Sequence, residues 1–295
     1  MNFLQGRVME ENGIYQSSLM LLRDMTGSGS ATFHDHQYEA IESLVVRKQK
    51  MLVVQRTGWG KSAVYFISAS LLRRMGKGPA IIISPLIALM RNQVESAARL
   101  GLNVVTINSS LSQADREHNE SLIAAKQVDA IIISPEQLAN QNLVDNVLSH
   151  ILSDVGLFVV DEAHCISDWG HDFRPDYRRI TRILQSMPAN LPVLATTATA
   201  NERVISDIEA QLGKDMKTLR GSLMRDSLSL QTVPQWSSAK RLAWLAKTLP
   251  ALDGTGIVYA KTVRDCDTVS AWLQENGIKA ASYHGGKAGA EREKL

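Results

Sequence analysis

Two short stretches carry residues whose types and spacing suit chemistry on a phosphate. One is Thr57-Gly58-Trp59-Gly60-Lys61-Ser62, preceded by the apolar run Met51–Val54 and followed by Val64, Ile67 and Leu71 at helical spacing. Glycines let backbone N–H groups turn toward an anion, and the next helix adds the positive end of its dipole. Lys61 would reach the β- and γ-phosphates of a nucleotide, and the Ser62 hydroxyl would ligate Mg²⁺. The strict phosphate-loop pattern asks for Gly five residues before Gly60, and Gln55 stands there. The other stretch is Asp161-Glu162, at the end of an apolar run, where open α/β sheets place their ligands. An ordinary glycine turn and an acidic strand cap would each explain one stretch alone. Together they supply both halves of a Mg-nucleotide site, a metal-and-base pair facing a phosphate cradle.

The loop after Asp161-Glu162 carries His164, Trp169, His171, Phe173 and Arg174. Aromatic side chains there could stack on bases, each worth about 1–3 kcal/mol, or Phe173 could pack inside the loop. A nucleotide-driven motor on a nucleic-acid strand needs such a surface beside its metal site.

Both sites must be held by strand ends. Apolar, β-branched runs predict strands at Met51–Val54, Ala80–Ser84, Val104–Asn108, Ala130–Ser134, Leu157–Asp161 and Val193–Thr197, each covered on both faces. Helical runs alternate with them, which gives repeated βαβ units and a doubly wound parallel sheet. A helix is predicted over 9–25, and Ser112 and Asn201 read as helix caps. The pattern pauses around Lys214–Arg220. A second α/β series then begins, with strands predicted at Ser227–Thr232, Gly256–Tyr259 and Lys279–Tyr283 and helices near Ala239–Thr248 and Val263–Gln274. Leu242, Trp244, Leu245 and Leu249 read as its core. We therefore expect a complete domain over 1–218 and a partial one over 219–295.

Composition allows this. A chain of 295 residues suggests about two domains, and an apolar fraction of 44% can fill their cores. A net charge of +2 provides no global field for nucleic acid, so binding would need a local groove. Two distant cysteines cannot make a four-thiolate site, so no zinc is expected, and a reduced, cytoplasmic setting is the default. No run is long and apolar enough to suggest a membrane span or a signal peptide.

The motifs together resemble superfamily 2 helicases, and within them the RecQ family. Phe33 and Gln37 look like its adenine-recognition motif. Ile83–Val94 resembles its motif Ia, and Ile132–Leu138 the segment before the acidic motif. Asp161–Tyr177 resembles motif II with the family's aromatic-rich loop, the most specific match. Thr196–Ala200 resembles motif III, and Gly256–Cys266 and Tyr283–Gly286 the first elements of the second motor domain. His34 stands where the family usually has Arg against the base, and Trp59 replaces a small residue. Trp59 could lie on the site's rim or pack structurally.

The resemblance implies a RecA-like fold, with ATP and Mg²⁺ as cofactors and single-stranded and duplex DNA as partners. It implies ATP hydrolysis coupled to movement on single-stranded DNA and to unwinding. Phe33, His34, Gln37 and Thr57–Ser62 would bind ATP. Asp161 would hold the metal through water, and Glu162 would orient or deprotonate the attacking water. His164 would link the γ-phosphate to motif III or be an ordinary buried histidine. Thr197 and Thr199 would relay the nucleotide state or simply cap a strand. Ser84, Arg91 and Asn108 are candidate DNA-phosphate contacts beside Trp169, His171, Phe173 and Arg174. The chain stops before the family's motifs V and VI, so slow turnover by these residues alone is expected. Two other functions fit the same motifs: a superfamily 2 ATPase on RNA or on duplex DNA without unwinding, and a non-catalytic nucleotide-dependent binding module.

Overall fold

The computed structural model describes residues 2–167, 175–222, 228–234 and 237–295. The chain divides into two compact units, 1–225 and 226–295. Each is described by itself.

The first unit opens with α1 (Asn2–Thr26) and α2 (Gln37–Val45). Strands and helices then alternate: β1 (Lys50–Val54), α3 (Lys61–Arg74), β2 (Ala80–Ile83), α4 (Ile87–Ala98), β3 (Val104–Ile107), α5 (Gln113–Ala124) and β4 (Ala130–Ile133). Next come the short helix α6 (Ser149–Leu152), β5 (Leu157–Val160), α7 (Ile180–Leu184), β6 (Val193–Thr197), α8 (Glu202–Leu212) and β7 (Lys217–Arg220). The seven strands form one sheet in the order β3-β4-β2-β5-β6-β1-β7, and every pairing is parallel.

Burial explains why these runs are strands. β2 and β4 have the same sequence, Ala-Ile-Ile-Ile, pair in register from Ala80–Ala130 to Ile83–Ile133, and are buried throughout. Successive side chains point to opposite faces of a strand. Ile81, Ile83, Ile131, Ile133, Phe158 and Val160 therefore join one core cluster, while Ile82, Ile132, Leu157 and Val159 join the other. Helices cover both faces, as a parallel sheet requires. The caps are where the sequence places them. Ser112 Oγ accepts from the Asp115 N–H at 3.1 Å, and Asn201 Oδ1 accepts from the Val204 N–H at 2.9 Å. Among the described residues no helix is long and apolar enough to cross a membrane.

The six predicted strands of this sheet are present. The seventh, β7, lies where the sequence pattern pauses. It pairs with β1 from Met51–Lys217 to Val54–Arg220 and carries the first unit past residue 218. As an edge strand it can be polar and half-exposed, so Lys-Thr-Leu-Arg lacks the apolar run that marks the others.

The second unit contains α9 (Ser238–Thr248), α10 (Val263–Glu275) and α11 (Gly289–Lys294). Trp272 Nε1 donates to the Leu242 carbonyl at 3.0 Å, joining α10 to α9. Here the expectation of strands is corrected. The described residues of Ser227–Thr232, together with Gly256–Tyr259 and Lys279–Tyr283, form no ladder. A β pattern becomes a strand only when its backbone groups pair with a neighbouring strand, and no such pairing occurs here among the described residues. Ile257, Tyr259 and Tyr283 are consequently exposed. The expected core of α9 is also corrected: Leu242, Trp244, Leu245 and Leu249 are only half-buried, and among the described residues of this unit Leu273 on α10 is the buried apolar one.

Entry into β2 and β5 depends on two glycines. A Cβ at Gly78 would lie 1.7 Å from the Asp154 carbonyl oxygen, and one at Gly156 would lie 2.5 Å from the Gly78 carbonyl oxygen. Backbone on both sides leaves no room to relax. Gly78→Ala should therefore lower the unfolding free energy by about 2–3 kcal/mol. Gly29→Ala, with open space around it, should stay within about 0.5 kcal/mol of wild type. Urea unfolding of the two variants provides the comparison.

Candidate nucleotide site

Parallel order places three strand tips side by side: β5, β6 and β1. The phosphate loop leaves β1, the acidic pair leaves β5, and the two threonines of β6 end between them. Val54 is level with Thr197 and Val160 with Ala195, so the tips form one rim.

The loop is shaped by backbone sign. Gly58 and Gly60 have φ of 85° and 90°, a region open to glycine, whereas Trp59 between them does not. A large residue is therefore allowed at position 59. Trp59 is buried, and its Nε1 donates to the Asp35 carbonyl at 3.2 Å. This settles its place: it packs, fastening the loop to the segment that precedes α2. Gln37 reinforces the join. Its Nε2 donates to the Trp59 and Gly60 carbonyls at 3.3 and 3.1 Å, and its Oε1 accepts from the His34 N–H at 3.1 Å. The side chain expected to read an adenine edge is here committed to the loop backbone. His34 is exposed, and half-buried Phe33 forms an aromatic group with Tyr15 and Tyr38, ring centroids 4.8–5.9 Å apart.

Lys61 opens α3, and its Nζ donates to the Gln55 carbonyl at 3.0 Å. The Gln55 N–H bonds to the Thr197 carbonyl at 3.0 Å, tying the loop to β6. Thr57 and Gly58 are exposed and Ser62 half-buried, so the cradle is open to a ligand.

On the acidic side, Asp161 is 9% exposed. Its Oδ1 accepts from Thr196 Oγ1 at 2.6 Å and from the Glu162 N–H at 3.0 Å. Tyr177 donates its hydroxyl to the Asp161 carbonyl at 3.0 Å, fixing the backbone. Burial pushes the carboxyl above the ordinary aspartate value of 3.8, and the Glu162 charge adds to this. The bonds from Thr196 and the Glu162 N–H, and the Lys61 charge, pull it back down. Glu162 has φ 48°, a strained setting for a non-glycine residue that re-aims its side chain out of strand register.

Glu162 Oε2 lies 3.2 Å from His164 Nδ1, and Thr197 Oγ1 lies 3.1 Å from the same nitrogen. Thr197 donates its hydroxyl proton to the Thr199 carbonyl at 2.9 Å and accepts from the Thr199 N–H at 3.2 Å. Its oxygen must then accept from His164, which puts a proton on Nδ1. The structure thus brings His164, Thr197 and Thr199 into one chain beside Glu162.

Of the expected DNA contacts, Arg91 is exposed and pairs with Glu95 at 3.3 Å. Ser84 is fully buried. Asn108 is buried too, its Oδ1 accepting from the Ser110 N–H and Oγ. Neither is placed on a surface that a strand could touch. Trp169, His171, Phe173 and Arg174 lie outside the described residues. The sequence reading missed Thr196, Tyr177, Gln93 and Tyr65. Alternation along Thr196-Thr197 could have revealed the first, since neighbouring strand residues face opposite sides.

The donor set suits a hydrated Mg²⁺ bound with phosphates. The candidate donors are one hydroxyl, Ser62, and one carboxylate, Asp161, while Ser84 Oγ and Gln93 Oε1 are buried with no partner among the described residues. Mg²⁺ typically uses one or two carboxylates with water and phosphate rather than a protein cage. Among the described residues there is no group of three or more His, Cys, Asp or Glu residues that could hold a metal by themselves.

The raised Asp161 pKa has a stability consequence without ligand. A raised acid favours folding when protonated, and that contribution is lost as pH rises through its folded pKa. Asp161→Asn should therefore raise the denaturation midpoint of the ligand-free protein at pH 7. The gain should shrink as the pH falls through the region above 3.8 in which the folded carboxyl titrates. Urea midpoints across this range would show it.

A family model described as DEAD/DEAH box helicase matches residues 34–208, a span that includes the phosphate loop, the acidic pair and the β6 threonines. The ATP-dependent helicase SGS1 of Saccharomyces cerevisiae is 34% identical over 263 residues, covering 88% of this chain and 18% of the relative. The ATP-dependent DNA helicase RecQ of Bacillus subtilis is 35% identical over 263 residues, covering 88% of this chain and 43% of the relative. The chain thus spans less than half the length of these relatives. Among solved structures, the DUF1998 helicase MrfA bound to DNA superposes with a TM-score of 0.71 at 17% identity, covering 93% of this chain and 41% of that one. The helicase Lhr of Mycobacterium smegmatis, bound to ssDNA and AMP-PNP, gives 0.66 at 17%, covering 93% and 39%. These two likenesses establish the RecA-like helicase fold. With the family match running from the loop before α2 through most of α8, this chain belongs to the DEAD/DEAH box helicases.

Proposed function

We propose that this chain is the ATP-binding motor portion of a RecQ-type DNA helicase, coupling ATP hydrolysis to movement on single-stranded DNA and duplex unwinding. The observation that supports it best is the convergence of Lys61, Asp161 and the Glu162–His164–Thr197 chain on adjacent strand tips. Relatives identical at about a third of the aligned residues are named as ATP-dependent helicases, and the Bacillus subtilis RecQ among them as a DNA helicase.

Each residue has a task in this reading. The N–H groups of the Gly58–Gly60 turn and the start of α3 cradle the phosphates, and Lys61 leaves the Gln55 carbonyl to neutralise the β- and γ-oxygens. Ser62 and Asp161 would hold Mg²⁺, which when bound neutralises charge that develops on the phosphoryl oxygens. Glu162 orients the attacking water and takes its proton. The proton on His164 Nδ1 lets it sense the charge of Glu162 and pass a change to Thr197, and so to the backbone of Thr199. The α4 surface bearing Arg91 and the loop with Trp169, His171, Phe173 and Arg174 would meet the strand. A cytoplasmic setting fits a protein in which neither cysteine forms a disulfide. Action on RNA, or on duplex without unwinding, is the other reading, and strand-separation assays on both nucleic acids divide them.

Lys61→Ala should weaken Mg-ATP binding by about tenfold or more, the value of one charge-assisted contact. Glu162→Gln should keep that binding and abolish turnover, with wild-type turnover rising on addition of single-stranded DNA. Fluorescent-nucleotide titration and phosphate release measure these. Absence of Mg-ATP binding by the wild-type chain would overturn the proposal.

A further inference from the structure

Helix α4 brings one polar side chain to the acidic tip from outside the phosphate loop. Gln93 Nε2 lies 3.1 Å from the Tyr65 hydroxyl and 3.5 Å from Asp161 Oδ2. Tyr65 is on α3, four residues beyond Lys61, and is buried. The two Asp161 oxygens are unequally engaged. Oδ1 already accepts two hydrogen bonds, from Thr196 and from the Glu162 N–H. Oδ2 is therefore the oxygen with capacity left for a metal's water, and Gln93 is the side chain that faces it.

The charge of Asp161 settles which way the Gln93 amide points. Turned over, its Oε1 would face Oδ2 and two acceptors would meet. Held as it is, Nε2 meets the carboxylate, and Oε1 is left buried with no partner among the described residues. Ser84 Oγ is likewise buried and unpartnered, and it sits just past β2, whose Ile83 pairs with Val160 directly before Asp161. Two orphan oxygens beside a half-engaged carboxylate suit a small hydrated cation. At 3.5 Å the Gln93 contact is longer than a full N–H···O bond, as catalytic contacts often are before a site is loaded. Burial, followed by the Asp161 and Glu162 charges, holds the Tyr65 hydroxyl well above its ordinary pKa, so it stays neutral as a partner for the amide.

We propose that Gln93 and Tyr65 are positioning residues for Asp161: the Gln93 amide steers Oδ2 toward the hydrated metal, and the buried Tyr65 hydroxyl holds that amide in place. Gln93 shares α4 with Arg91, so a strand bound at Arg91 would reach the metal carboxylate through one rigid helix. This inference rests on the Mg-nucleotide reading of the site.

The test is the ratio of nucleotide affinities with and without Mg²⁺, read with a fluorescent ATP analogue on the whole 295-residue chain. Gln93→Met and Tyr65→Phe should each reduce the Mg²⁺-dependent gain, by about tenfold for Gln93→Met, with metal-free affinity unchanged within about twofold. Gln93→Met added to Asp161→Asn should lose no more than Asp161→Asn alone, because the two act on one oxygen. If Gln93→Met does not fold, Tyr65→Phe decides. Equal losses with and without Mg²⁺ would show a merely structural role and overturn the proposal. So would an intact gain in Gln93→Met and Tyr65→Phe alongside a reduced gain in Asp161→Asn, an outcome that leaves the metal reading standing. An unchanged gain in Asp161→Asn would remove the metal reading itself, and this inference with it.

Discussion

A carboxylate that is nearly buried must stay ionised if it is to hold a cation, and much of the site's detail answers that demand. Desolvation pushes the Asp161 carboxyl toward its protonated form. The Thr196 hydroxyl, the Glu162 N–H and the Lys61 charge oppose it, and each comes from a different place in the chain. Thr196 and Lys61 reach Asp161 because β6 lies between β5 and β1. Strand order, more than any single residue, sets the surroundings of the acidic tip proposed to hold the metal.

The same order explains how a change at the nucleotide could travel. Thr196 and Thr197 are neighbours on one strand and point to opposite faces. One bonds Asp161, and the other bonds His164 and the turn at Thr199. A shift of β6 therefore alters both the Asp161 carboxylate and the histidine beside Glu162. Gln55 links that strand to the phosphate loop through its N–H and to Lys61 through its carbonyl. Trp59 and Gln37 anchor the loop's other end to the segment before α2.

The sheet was readable because strands buried on both faces leave long apolar runs, as in Ala80–Ile83 and Ala130–Ile133. β7 was not, because an edge strand needs no such run. The reverse failure occurred in the second unit. Gly256–Tyr259 and Lys279–Tyr283 have strand composition, yet pattern supplies only one side of a ladder. At the site, Lys61, Asp161, Glu162 and His164 could be chosen from motif spacing alone. Gln93 and Tyr65 could not, since their importance lies in which strands and helices become neighbours. Ser84 looked like a surface contact at a strand end, and only the packed sheet shows that it is buried. Trp59 was undecided because spacing reveals neither its backbone sign nor its bond to Asp35.

The central claim is that a magnesium-bound triphosphate lies between Lys61 and Asp161. A crystal structure with Mg²⁺ and a nonhydrolysable ATP analogue tests it most directly. The account predicts Lys61 Nζ on the β- and γ-phosphate oxygens, with the ion facing Ser62 and Asp161 Oδ2. A nucleotide bound elsewhere, or an ion held without Asp161, would contradict it.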